Sequence, residues 1–409
     1  MKLCAARWRA KRARGRYVTV GKILSRSTKR CIKRRWMRLL CVEHKTVFGG
    51  GQVALLNALA EWQTQRAEIT PFVVCSKGAA IAPHARALQI PCAEMDLGAI
   101  EKTRGIAWNL GQRLAPTRAL WQTMRAFQPD VLLANGAYSF LASALAANLA
   151  RVPAVWYEQN TTLPDGRALA QLIRAAREII VVTEMIRAQF VKTHPRAADK
   201  IHVIYNGVDT EHFRADADAA RAIRESFGWT ESARVVGTVS RLAPEKNVAL
   251  FLTAAQALAR TRPDVKFLVV GDGPERASLQ AQFQDANIAF VGQRADVPRL
   301  LQICDVFVLA SNTEGFSVAL VEAMAAGRAI VATDVGGARE ALADGACGRL
   351  VPPRNVAALT DALQELLRDE TARDALGERA RARAQQRFTR AQQARQMQNV
   401  LKRARAISP

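Results

Sequence analysis

Eleven short apolar runs alternate with helix-like stretches along this chain, in two series parted by a turn-rich passage. The first series spans residues 38–42, 70–74, 130–134, 154–157, 179–183 and 201–204; the second spans 235–239, 266–270, 288–291, 306–310 and 329–332. A strand that returns after an intervening helix lies parallel to its predecessor, and a parallel sheet needs helices on both faces. The expected fold class is therefore α/β, with two Rossmann-like, doubly wound parallel-sheet domains. A chain of 409 residues is also too long for one comfortable core. The passage between the series is Asn206-Gly207-Val208-Asp209, followed by an alanine-rich stretch over 213–224. From Asn355 onward the pattern turns helical, with Leu359, Leu363, Leu366 and Leu367 spaced as one core-facing stripe. The expected division is a basic extension over 1–36, an N-terminal domain over 37–212, a C-terminal domain over 213–388, and a last helix over 389–409 that can cross back to the first domain.

Charge narrows the choice of partners. The formal net charge is +23, but residues 1–36 hold five Lys and nine Arg with no acidic residue, so +14 sits there and +9 remains for the other 373 residues. The folded body is only moderately basic, and nucleic acid is not its expected partner. The leader lacks the continuous apolar core of a secretory signal and shows no helical stripe; a solvated tail or a contact for an anionic membrane surface fits it. Met37-Arg-Leu-Leu-Cys-Val42 reads as an opening strand, so translation from Met37 would leave the leader out of the protein. Cysteines at 4, 31, 41, 75, 92, 304 and 347 form no C-x-x-C, and those at 41, 75 and 304 adjoin apolar runs. Reduced, buried thiols in a cytoplasmic protein, soluble or peripheral at the inner face of the membrane, account for them. No segment reaches the ~18 apolar residues of a membrane span.

The chemistry-bearing motifs sit where apolar runs end. After the run at 306–310 comes Glu314-Gly315-Phe316-Ser317-Val318-Ala319-Leu320-Val321-Glu322, two carboxylates eight residues apart joining a glycine turn to an alanine-rich helix. Ser317 can cap that helix, whose unpaired N–H groups suit a phosphate or sugar. Thr333-Asp-Val-Gly336-Gly337 makes a second glycine turn before a helix at Ala338. In the first half, Glu43-His44-Lys45-Thr46-Val47-Phe48 leads into Gly49-Gly50-Gly51 and a helix near Gln52, where amides can approach a ligand without Cβ interference. In the second half, Arg241 and Lys246 follow the run at 235–239, and two cations beside a helix start suit a diphosphate.

Taken together, Ser240-Arg241…Lys246, Val270-Gly271-Asp272-Gly273, Val291-Gly292 and Glu314-x7-Glu322 resemble the retaining GT-B glycosyltransferases of family 4, the glycosyl transferases group 1. Gly49-Gly50-Gly51-Gln52 and Asn206-Gly207-Val208-Asp209 resemble that family's acceptor-side domain, and the likeness covers about 37–388. It implies two domains facing a central cleft, a nucleotide-diphosphate sugar held mainly by the second domain, and a carbohydrate or lipid-linked acceptor held mainly by the first. It also implies transfer with retention of anomeric configuration, with no metal and no other cofactor. Carried onto this chain, Arg241 and Lys246 would meet the diphosphate, Glu322 the ribose, and Glu314 the sugar hydroxyls. Gly315, Phe316, Ser317 and Val318 would present the helix start, with Gly49, Gly50, Gly51, Gly271, Asp272 and Gly273 around the donor and Gly292, Gln293 and Arg294 by the base. Charge supports that division: a carboxylate accepts from a vicinal diol and is repelled by phosphate. A diphosphate also leaves as a stabilised anion, so the carboxylic acid a glycosidase needs for an alkoxide can be replaced by cations and a helix start.

The chain departs from the family where histidine is usual in the first domain, reading Glu158-Gln159-Asn160 after one run and Asn135-Gly136 after another. The acceptor-side polar role then falls to Glu158, Gln159 or Asn135, with His44 as a substitute. Asp216-Ala217-Asp218 matches a metal-binding pattern, but lies at a helix start, where acidic residues stabilise the helix anyway. The histidines at 84, 194, 202 and 212 form no metal-ligand spacing. The other readings are a sugar phosphorylase or nucleotide-sugar epimerase on the same fold, and a nucleic-acid or membrane binding protein that uses the leader. If translation begins at Met37, peptide mass spectrometry of the native protein finds nothing upstream of it; a single peptide from the leader would show that the leader is translated.

Overall fold

The computed structural model describes residues 36–98, 106–163, 166–213 and 216–406. The basic leader up to Arg35, and Arg214 of the passage between the two series, lie outside the described residues. Two wholly parallel sheets result. The first contains β1 (Met37–Glu43), β2 (Ile69–Ser76), β3 (Cys92–Met95), β4 (Val131–Asn135), β5 (Ala154–Glu158), β6 (Glu178–Val181) and β7 (Ile201–Val203), in the order β3-β2-β1-β4-β5-β6-β7. The second contains β8 (Arg234–Val239), β9 (Val265–Val270), β10 (Ile288–Gly292), β11 (Val306–Leu309), β12 (Ala329–Thr333) and β13 (Arg349–Val351), in the order β10-β9-β8-β11-β12-β13. Leu39, Leu40, Cys41 and Val42 of β1 are fully buried, which is why a strand covered on both faces reads as an unbroken apolar run.

Two of these strands, β3 and β13, go beyond the apolar runs. Both form sheet edges, one four and the other three residues long, and both carry charge, at Glu94 and Arg349. Short, charged edges discourage pairing with another chain, and the same property removes the apolar signal. The order reverses between β1 and β4 and again between β8 and β11, so each sheet opens a crevice at the carboxyl ends of its central strands. Glu43 and Asn135 end the first pair of strands, and the segments carrying Arg241 and Glu314 follow the second.

The two halves are joined twice, and the joints lie side by side. Val208 N donates to Phe388 O (2.9 Å) and Arg390 N donates to Val208 O (2.8 Å), so the passage after β7 pairs with the chain returning near Thr389. Past that point the helix Arg390–Ala406 packs on the first sheet's side of the molecule. Ala394, Met397, Leu401 and Ala404 are fully buried at helical spacing, Trp62 Nε1 donates to Ala394 O (3.0 Å), and Arg403 pairs with Glu178 (3.0 Å). The stripe Leu359, Leu363, Leu366 and Leu367 is likewise buried, in the second core. Asp216 caps the helix Ala217–Ser226 by accepting from Ala219 N (3.0 Å).

Gly207 sits where the two joints touch. A Cβ there would come 2.3 Å from Thr389 O and 2.8 Å from Arg390 N, both backbone atoms that cannot swing away. Gly207→Ala is therefore expected to lower stability by about 1–3 kcal/mol, the usual cost of forcing a methyl group into packed structure. Urea unfolding followed by tryptophan fluorescence checks this; an unchanged midpoint would show that the joint yields freely.

Candidate functional site

The carboxyl ends of the two sheets face each other across a cleft of about 1940 Å³. A pocket for one small ligand usually holds ~300–1,000 Å³, so this one has room for two substrates. Two helices begin at the same point from opposite sides. Gly50–Thr64 starts after Gly49, which caps it without a side chain, and Val318–Ala325 starts after Ser317, whose Oγ accepts from Leu320 N (3.3 Å). A Cβ on Gly50 would lie 3.8 Å from Val318 Cγ2, so the two N-termini are in contact distance. Their unpaired N–H groups and dipoles add up to a positive field suited to an anion.

The second sheet supplies the charged side of the cleft. Arg241 and Lys246 follow β8, and both are already paired: Arg241 with Glu245, and Lys246 Nζ with Glu314 Oε1 at 2.6 Å. Ser311 Oγ donates to the same Glu314 oxygen (2.7 Å). The expected cations and carboxylates thus share one cleft, with the difference that two of them bond each other directly. Glu322 lies one helical turn deeper, half-buried, and among the described residues no hydrogen bond or ion pair reaches its carboxylate. Burial alone pushes its pKa up to about 7.

Gly49, Gly50, Gly51, Gly271, Asp272, Gly273, Gln293, Arg294, Gly315, Phe316, Ser317 and Val318 all line the cleft; Gly292 does not. Gly292 is buried behind it, where its carbonyl accepts from Gly271 N (2.8 Å) and so holds the loop after β9. Gly271 has φ +132, and a Cβ there would lie 1.8 Å from Ser240 O, so only glycine lets the ends of β8 and β9 approach. Gly315 abuts the first domain, its would-be Cβ 1.9 Å from Gln159 O. The Phe316 ring turns from the cleft into an aromatic cluster with Tyr205 (5.0 Å) and Phe388 (5.1 Å).

On the first sheet's side one expectation is corrected. Glu158 is fully buried and outside the cleft: Oε1 accepts from Gln159 N (3.0 Å), Asn160 N (2.8 Å) and Asn160 Nδ2 (2.8 Å), and Oε2 accepts from Trp156 Nε1 (3.0 Å). With these lone pairs taken, its carboxylate shapes the loop after β5 and leaves no catalytic role on a substrate. An acidic group that does line the cleft is Glu43, at the end of β1, which sequence reasoning passed over as part of a glycine loop's approach. Its signal was a carboxylate directly closing an apolar run. Burial pushes its pKa up to about 7, against hydrogen bonds from Lys45 N and Asn135 Nδ2. His44 also reaches the cleft; Nε2 lies 2.8 Å from Gly98 O, a group that only accepts, so Nε2 carries a proton.

Among the described residues no group of three or more His, Cys, Asp or Glu could hold a metal ion, and no helix is long and apolar enough to cross a membrane. Asp216 is occupied as a helix cap. The thiols at Cys41, Cys75, Cys92, Cys304 and Cys347 are buried and free.

Two family models match the chain, glycosyltransferase family 4 over residues 48–212 and glycosyl transferases group 1 over residues 220–383. An alpha-D-kanosaminyltransferase of Streptomyces kanamyceticus is 28% identical over 239 residues, 57% of this chain and 62% of the relative. A GDP-mannose-dependent alpha-(1-6)-phosphatidylinositol monomannoside mannosyltransferase of Mycolicibacterium smegmatis is 32% identical over 229 residues, 53% of this chain and 59% of the relative. Such matches span about three fifths of the relatives' own length. Among solved structures, Anabaena HepE in complex with UDP-glucose superposes with a TM-score of 0.77 at 24% identity, covering 90% of this chain and 100% of that one.

The unpartnered Glu322 has a sign that can be tested. Its folded pKa lies above the usual value, so the folded form is penalised progressively as pH rises toward and through about 7 and not at all when the group is protonated in both states. Glu322→Gln is expected to raise Tm at pH 8 and to leave it unchanged near pH 4. Scanning calorimetry of both proteins checks this, and a gain of equal size at both pH values would assign the effect to packing.

Proposed function

The chain belongs to family 4 of the glycosyltransferases and has the GT-B fold, and on that premise we propose that it transfers a sugar from a nucleotide diphosphate to a carbohydrate or lipid-linked acceptor. The observation that carries this reading is the approach of two helix N-termini in the cleft that Arg241 and the Lys246–Glu314 pair also line. A diphosphate laid between the helix starts would take the amides and the two cations, exchanging them from their present carboxylate partners. Glu314, released from Lys246, would accept from the sugar's hydroxyls, and Glu322 would accept from the ribose diol. Both roles suit a carboxylate whose remaining lone pairs are open. The charge of the leaving group is met by Arg241, Lys246 and the two helix dipoles, which is the work a metal ion does in other transferases.

Retention is part of the proposal. The acceptor oxygen would bond to the anomeric carbon from the face the diphosphate leaves, the carbon–oxygen bond to phosphate would break, and the leaving phosphate oxygen would receive the acceptor's proton. One relative is by its name a mannosyltransferase of a phosphatidylinositol monomannoside, which supports a hydroxyl-rich acceptor here. The buried free thiols fit a reducing cytoplasm.

Thermal-shift measurements with UDP, GDP and ADP, and then with their sugars, test the reading. One nucleotide is expected to raise Tm, since ligand at ~100 times its Kd adds about 2.7 kcal/mol of stability. Arg241→Ala is expected to lose ~10-fold or more in both nucleotide affinity and turnover, because a charge-assisted hydrogen bond contributes ~1.5–3 kcal/mol. Glu322→Ala should weaken binding of the sugar donor, and Glu314→Ala should lower kcat more than it raises KM. Wild-type behaviour in all three would overturn the assignment.

A further inference from the structure

Among the described residues, four of the large apolar side chains that stay exposed lie on two helices of the first half. Leu114 (74%) is on the helix Ile106–Phe127, and Tyr138 (37%), Leu145 (53%) and Leu149 (59%) are on the helix Ala137–Leu149. The two helices pack against each other. On the second, Tyr138, the half-buried Leu141, Leu145 and Leu149 follow the three- and four-residue spacing that sets them on one face, while Ser139, Phe140, Ser143 and Ala147 are buried. That helix carries no charged residue. On the first, Leu114, Arg118, Trp121 and Arg125 share the outward face by the same spacing, and the Arg125 guanidinium lies 5.0 Å from the centre of the Trp121 ring.

The charge around this strip has one sign. Between Glu101 and Asp130 the sequence holds Lys102, Arg104, Arg113, Arg118 and Arg125 and no acidic residue. Arg151 follows the uncharged helix, and Arg167 and Arg174 stand exposed on the helix Gly166–Ala175, which packs against it. Among the described residues none of Arg118, Arg151, Arg167 and Arg174 has an ion-pair partner. A surface that meets only water keeps its exposed leucines scattered and intersperses acids with its cations, and here neither holds. We propose that this face of the two helices docks on an anionic membrane surface, with the leucines and Trp121 between headgroups and acyl chains and the arginines on lipid phosphates. Docking of that kind calls for aliphatic and aromatic side chains in line, arginines beside them, and no carboxylate facing the lipid. A second copy of the chain is a poor occupant, since a two-fold contact would set the same arginines against one another. The inference stands apart from the transferase reading and adds an orientation to it. Tyr138 and Leu141 also line the cleft, so docking brings that wall of the cleft next to the headgroups.

Co-sedimentation of the full chain with vesicles tests this, comparing phosphatidylcholine alone with an equal mixture of phosphatidylcholine and phosphatidylglycerol. The wild-type protein is expected to bind the mixture at least tenfold more tightly than phosphatidylcholine, and to be released by raised salt, which screens the attraction. Leu145→Ser combined with Leu149→Ser is expected to weaken binding to the mixture at least tenfold, because interfacial affinity scales with the apolar area buried. Arg118→Gln combined with Arg125→Gln should weaken it by ~5-fold per arginine. All four side chains are exposed, so unchanged thermal melting shows that each variant is folded; should the serine pair lower the melting temperature, the glutamine pair decides alone. Binding that either folded variant retains in full would leave the affinity to the basic leader and overturn the proposal. Equal binding to phosphatidylcholine alone would overturn it too. So would no binding to either vesicle, with or without a dimer that the serine pair dissociates.

Discussion

The ion pair between Lys246 and Glu314, 2.6 Å long with Glu314 largely out of solvent, offsets positive charge gathered where two helix N-termini meet. Two helix N-termini and two cations gathered at one point would repel each other in an empty site. Glu245 and Glu314 supply the counter-charge, one for Arg241 and one for Lys246. An ion pair that breaks leaves two charges to be satisfied, so the exchange is favourable only for a ligand that meets both. An anion for the cations and hydroxyls for the freed carboxylate is such a ligand, which ties the specificity of the site to its resting charge balance.

The same economy links the two halves. Asn206, in the joint between them, binds Phe316 of the second half and Gln159 of the first with one amide nitrogen. Glu340 reaches across to accept from Glu184 N (2.9 Å), Met185 N (3.0 Å) and Tyr205 Oη (3.1 Å), completing the N-terminus of a helix in the other half. Gly315 and the chain after β5 are in backbone contact. The orientation of Gln159 therefore depends on the second half being in place.

Much of this was legible in residue order. Buried parallel strands must be apolar, so β1, β2, β4 to β7 and β8 to β12 announced themselves, and Arg241, Lys246 and Glu314 could be placed after strand ends because loops carry ligands where sheets deliver them. The edge strands β3 and β13 could not, because Glu94 and Arg349 interrupt the only signal that marks a strand. Glu158 and Glu43 show the harder limit. Each is an acidic residue at the end of an apolar run, and nothing local separates a carboxylate whose oxygens are filled by Trp156, Gln159 and Asn160 from one that faces a cleft.

Residue order alone determined the α/β class, the two-fold repetition of the sheet and the identity of the charged groups, since hydrophobic periodicity and turn chemistry are local. Tertiary structure decided which charges neutralise each other, that Glu322 finds no partner among the described residues, and which way the amides of Asn135 and Gln159 point. Most of those outcomes depend on partners distant in the chain, 68 positions for Lys246 and Glu314 and 47 for Asn206 and Gln159, and a hydrogen bond is directional, so only the folded geometry says which groups meet.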